Sequence, residues 1–130
     1  MTLAIQMVDV FGAGPFSGNP LAVVTGADAL ATDEMQRLTR WFNLSETAFL
    51  IAPTHPEADY GVRIFTLERE MPFAGHPTLG SCHAWLSANG RPKRKMEIVQ
   101  ECGAGLVPIR RDRGQLSFAA PPLIRSGAPT

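Results

Sequence analysis

The sequence predicts an α+β fold, a mixed and mostly antiparallel β-sheet curved around one central helix. Two observations carry this. Short apolar segments with the period-two alternation of strands recur along most of the chain. Against them stands one strongly apolar helical segment, 77–89, whose stripe is too broad for a surface helix that meets a single face.

Taken in order, Leu3 to Phe11 reads as a first strand and Leu21 to Thr25 as a second, joined by the Gly/Pro-rich stretch from Gly12 to Pro20 as a hairpin. The glycines of that loop superficially resemble a dinucleotide fingerprint, but the third comes one place late and a strand follows instead of a helix. Thr32 is the predicted N-cap of a helix running to Asn43, with Asp33 and Glu34 at its positive end, Arg37 and Arg40 toward its negative end, and Met35, Leu38 and Phe42 on one face. That pattern predicts packing and no chemistry. Leu44 to Ile51 and Gly61 to Leu67 read as strands, separated by Pro53 and Pro56.

Pro77 suits the first turn of the central helix, Leu79, Cys82 and Leu86 form its stripe, Ala84 and Trp85 widen it, and Gly90 stops it. Met96 to Glu101, Leu106 to Arg111 and Gln115 to Ala120 then read as a three-stranded meander. One domain is expected over residues 1–120, and the Pro/Gly-rich residues 121–130 read as a linker-like tail. A chain of 130 residues can bury roughly two-thirds of the surface its unfolded form exposes, enough for a true core.

Twelve basic residues balance twelve acidic ones, and only Arg91 to Lys95 concentrates one sign, which reads as a solvated loop. Neither a nucleic-acid partner nor a membrane is expected from that balance and from the lack of a long apolar run. Cys82 and Cys102 are too few for a disulfide scaffold, and the first ten residues show no basic leader, so the expected location is the cytoplasm.

The candidate chemistry lies in two segments. Glu46 opens a strand, and alternation places it on the face of Ala48 and Leu50, where a carboxyl partly withdrawn from water is suited to proton exchange. A strand-end acid bonded to backbone would look the same from position alone. Downstream, Gly75 and His76 precede the predicted helix start, where backbone amides gather at the positive end of the helix and can hold an anion. Pro77 has no N–H, so Thr78 and Leu79 are the expected donors. A capping histidine and an ordinary turn glycine fit the same residues. His83 and Cys82 match no metal-ligand spacing, His55 falls in an exposed proline turn, and Glu68 and Glu70 read as a charged turn.

Asp9-Val10-Phe11, Gly18 to Val24, Asn43-Leu44-Ser45-Glu46-Thr47-Ala48-Phe49, Arg63-Ile64-Phe65-Thr66 and Glu70 to Gly80, in this order and spacing, resemble the PhzF-like isomerase family of phenazine biosynthesis. The resemblance implies the diaminopimelate-epimerase-like fold, in which each half is a sheet curled barrel-like around a central helix and the active site lies between halves. Only the first half is represented, so a second domain is expected to be absent. A second lobe, or a homo-oligomer such as a dimer, would have to complete the site.

The same resemblance assigns Glu46 as the catalytic proton carrier and Gly75 and His76 as the substrate loop, with Ser45 and Thr47 as weaker contacts. It implies a small carboxylate-bearing substrate, a proton shift between carbons, and no metal or organic cofactor. The related epimerases place a cysteine immediately before this glycine, where Ala74 stands, so a two-cysteine racemisation is not expected. Leu67 replaces the proline that usually follows Thr66. The enzyme class implied is an isomerase or epimerase-like one, and an isolated copy is expected to lack an enclosed site. The alternative is a non-catalytic binding or assembly module that pairs with itself through the face a second half would cover.

Overall fold

The computed structural model describes residues 3–10, 19–88, 90–112 and 115–118. Strands β1 (Ala4–Val10) and β2 (Asn19–Thr25) pair antiparallel, from Ala4 opposite Thr25 to Val10 opposite Asn19. A 3-10 turn at Ala27–Ala29 leads into helix α1 (Thr32–Phe42), after which β3 (Glu46–Ile51) runs parallel to β2. Strand β4 (Tyr60–Thr66) returns antiparallel to β3, and the two-residue β5 (Glu70–Met71) folds back on it. Helix α2 (Gly75–Ser87) precedes the meander β6 (Glu97–Cys102), β7 (Gly105–Asp112) and β8 (Gln115–Phe118).

The resulting sheet has the order β1-β2-β3-β4-β6-β7-β8 with β5 on β4, and it curls into a half-barrel around α2, which packs against β1, β2, β3, β4 and β6. The curl is stitched at one narrow seam. There β4 and β6 pair in parallel through Tyr60 opposite Gln100 and Gly61 opposite Glu101.

Both faces of the central strands are covered. Leu21, Val23, Ala48, Leu50, Val62 and Ile64 meet Cys82 and Ala84 of α2 in the inner core, while Val24, Phe49 and Phe65 meet Met35 of α1 in an outer one. Strict alternation sends neighbouring residues to opposite cores, which is why β2 to β4 are nearly continuous apolar runs. Leu38 and Phe42 pack with Met35 as expected, and Asn43 ends α1 in the left-handed region at φ 58, which asparagine tolerates better than most residues.

Several boundaries differ from the sequence reading. Thr32 is not the N-cap of α1. Ala31 is, and its N–H donates to Glu34 Oε1 at 2.8 Å, while the Thr32 hydroxyl accepts from Arg63 at 2.9 Å. Glu70 belongs to a strand rather than a charged turn, and both its oxygens accept from the Arg63 guanidinium at 2.7 and 2.9 Å. The Glu70 carboxylate in turn raises the Arg63 pKa further. The bend between β4 and β5 is built by Thr66, whose hydroxyl accepts from the Glu68 and Arg69 amides at 3.2 and 3.1 Å, so Leu67 needs no proline to turn there.

Arg91, Lys93, Arg94 and Lys95 are exposed, as a solvated loop requires. Phe11, the loop 12–18, Asn89, Ala119, Ala120 and the tail 121–130 lie outside the described residues.

Candidate active site

Glu46 is the first residue of β3, and its side chain lies on the inner side, in register with Ala48 and Leu50 of the inner core. Helix α2 fills the hollow above that face and begins at Gly75, so its first turn comes down next to the start of β3. The result is a direct contact between the two segments: His76 Nδ1 lies 2.8 Å from Glu46 Oε1. Their side chains retain 11% and 21% of their exposure, so the pair is largely shielded yet still open to a ligand. A carboxylate whose one oxygen is held by an imidazole keeps the other for a second partner.

The helix starts two residues earlier than Pro77 suggested, and this changes the donors. Thr78 donates its N–H to the Ala74 carbonyl at 3.1 Å, its hydroxyl bonds the same oxygen at 2.8 Å, and its side chain is fully buried. The expectation that Thr78 offers an amide to an anion is therefore corrected. Leu79 lies one residue deeper in α2, where α-helical geometry aims its N–H back at the Gly75 carbonyl. Gly75 and His76 form the first turn, at the positive end of the helix.

Gly75 lies close under an aromatic ring. A Cβ at this position would come 3.1 Å from Phe118 Cζ, and Phe118 itself stacks edge-on with Phe73 at 5.4 Å. Ser45 sits exposed at the bend before β3, adjacent to Glu46 in the chain, whereas Thr47 is buried on the outer side, away from the pair.

The remaining ionisable groups take other parts. Cys82 is buried in the inner core, and that burial pushes its thiol up to about 12, with the Tyr60 hydroxyl opposing only in part. Burial raises the Cys102 thiol as well. Neither is poised as a thiolate at neutral pH. Among the described residues no group of three or more His, Cys, Asp or Glu side chains is arranged to hold a metal ion. His83 and His55 are both exposed.

A mixed sheet curled as a half-barrel around one helix is the diaminopimelate-epimerase-like fold. A hydroxyproline epimerase from Agrobacterium vitis shares that fold with a TM-score of 0.62 at 14% identity, over 88% of this chain and 39% of that one. More specifically, residues 8–121 match the phenazine biosynthesis-like protein family, and the chain belongs to it, the PhzF-like isomerases.

The relatives are close. Antisense-enhancing sequence 1 of Schizosaccharomyces pombe is 48% identical over 109 residues, 84% of this chain and 37% of the relative. The trans-2,3-dihydro-3-hydroxyanthranilate isomerase of Pseudomonas aeruginosa is 39% identical over 107 residues, covering 82% of this chain and 37% of the relative. The PhzF-family phenazine biosynthesis protein of Bacillus anthracis superposes with a TM-score of 0.75 at 31% identity, over 89% of this chain and 39% of that one. The chain thus spans well under half the length of each of these three proteins. No helix among the described residues is long and apolar enough to cross a membrane.

Proposed function

We propose that this chain is one lobe of an isomerase in which Glu46 carries a proton between two carbons of a small carboxylate-bearing metabolite. The observation that carries the reading is the 2.8 Å contact between Glu46 Oε1 and His76 Nδ1, which brings the acid to the helix start where a substrate anion is favoured. Ionised Glu46 takes the proton of a substrate C–H bond. The electron pair of that bond moves into the adjoining π system, and the protonated acid, after exchanging its proton with solvent in a share of turnovers, then donates a proton to another carbon. Atoms and charge balance with no outside reductant or oxidant, so the scheme calls for neither metal nor organic cofactor.

His76 orients the carboxyl through Nδ1, and the turn at Gly75 and His76 receives the substrate carboxylate, with Ser45 at the mouth. A second lobe of the same architecture, or a second copy of the chain, closes the other side and excludes water. Kinship with the Pseudomonas aeruginosa isomerase makes trans-2,3-dihydro-3-hydroxyanthranilate the first compound to assay.

The test is solvent-deuterium incorporation into that compound by this lobe joined to a second one. Glu46→Gln keeps the size and loses the proton carrier, and incorporation is expected to fall by about 10²- to 10⁴-fold with binding retained. Incorporation at the unaltered rate would remove Glu46 from the mechanism.

A further inference from the structure

Beneath the first turn of α2 runs a chain of hydrogen bonds through the core. The Tyr60 hydroxyl donates to Gln100 Oε1 at 2.9 Å, Gln100 Nε2 donates to Thr78 Oγ1 at 3.3 Å, and Thr78 Oγ1 donates to the Ala74 carbonyl at 2.8 Å. Thr78 and Gln100 are fully buried and Tyr60 nearly so. The bonds run in one direction, and at the far end the Tyr60 phenol donates to the Gln100 amide oxygen. That amide then donates into Thr78 Oγ1, which directs the threonine's own proton onto Ala74.

Three features distinguish this from ordinary helical threonine, whose hydroxyl commonly bonds the carbonyl four residues back. First, the acceptor is the N-cap residue of α2, and the turn it closes with Thr78 contains Gly75 and His76. Second, that turn is weak by composition. Gly75 has no side chain to restrict it and Pro77 contributes no N–H, so Thr78 supplies both bonds to the Ala74 oxygen. Third, Tyr60 and Gln100 are opposite each other in the two-pair parallel junction of β4 and β6, so the chain ties the helix start to the place where the meander joins the rest of the sheet. Apolar side chains of the same shape would fill this space without desolvating three polar groups, so direction rather than bulk is what the polar chain adds.

We propose that Tyr60, Gln100 and Thr78 are positioning residues that hold the Ala74–Thr78 turn so that the His76 ring stays within hydrogen-bonding reach of Glu46. As a statement about catalysis this rests on the proton-transfer reading above. As a statement about geometry it can be measured without turnover.

The measurement is the ¹⁵N and ¹H signature of the His76 ring in the ¹⁵N-labelled 130-residue chain, with Glu46→Gln defining how the ring appears once its carboxylate partner is gone. Thr78→Val and Tyr60→Phe are expected to move the ring signals toward those of Glu46→Gln. Thr78→Ser, which keeps the hydroxyl, is expected to restore them. Tyr60→Phe preserves the ring that lies 5.2 Å from that of Trp85, so it decides the matter alone if Thr78→Val does not fold. Folded variants whose His76 signals equal those of the unaltered protein would overturn the proposal and leave the chain of bonds a stability feature only. If instead the ring responds as expected while Glu46→Gln leaves deuterium incorporation intact, the positioning stands and the proton-transfer reading falls.

Discussion

Glu101 illustrates how much a single side chain on the rim of the sheet can organise. Its carboxylate accepts from the Thr54 and His55 amides, each at 2.8 Å, and from the Thr54 hydroxyl, pinning the turn between β3 and β4. Those bonds, led by the Thr54 hydroxyl, hold its pKa below the ordinary value of 4.5. A carboxyl depressed on folding adds stability that is present above its unfolded value and is lost as pH falls through the folded one. The thermal midpoint should therefore drop on acidification below 4.5, and part of that drop should vanish in Glu101→Gln, which is expected to be the less stable protein at neutral pH. Thermal melts of both proteins at neutral and acidic pH check this. An identical acid sensitivity in the two would show that these bonds do not contribute.

At the scale of elements, α2 is defined by its two ends. The start is set by Ala74 and Thr78, the end by the packing of Trp85, whose carbonyl accepts the Gly90 amide at 2.9 Å. A Cβ on Gly90 would lie 2.4 Å from carbons of the Trp85 ring and 2.7 Å from the Trp85 carbonyl oxygen. Since backbone as well as ring would have to move, Gly90→Ala is expected to cost about 1–3 kcal/mol, read from the denaturant midpoint. An unchanged midpoint would mean that the segment after Ser87 can shift freely.

The ends of elements are also where sequence reading was weakest. Proline at a first turn pointed to Pro77 as the start of α2, but Thr78 bonds the Ala74 carbonyl and draws Gly75 and His76 into the helix. Thr32 has the chemistry of an N-cap, yet Arg63, 31 residues away, takes its hydroxyl. Strand β5 is two residues long, too short for alternation to register, and is recognisable only through its pairing with β4.

For the molecule as a whole, the curled sheet covers α2 on the side of β1 to β6 and leaves the Glu46–His76 pair partly open. Proton transfer from carbon needs water excluded and the substrate held from more than one direction. The 130-residue chain as a monomer is accordingly expected to show no deuterium incorporation into trans-2,3-dihydro-3-hydroxyanthranilate, while the same chain joined to a second lobe does. Turnover by the monomer, its size checked under assay conditions, would show that one lobe suffices.

The sequence by itself determined the alternation that makes the strands, the broad apolar stripe that makes α2 a core helix, and the run of motifs that marks the family. All of these act through neighbours a few positions apart. Tertiary structure alone decided that Glu46 and His76, 30 residues apart, stand 2.8 Å from each other, and that Tyr60, Gln100 and Thr78, separated by 40 and 22 residues, share one path of hydrogen bonds. Such contacts depend on strand register and on where a helix lands in the hollow of the sheet, and a displacement of one residue would turn each side chain to the opposite face.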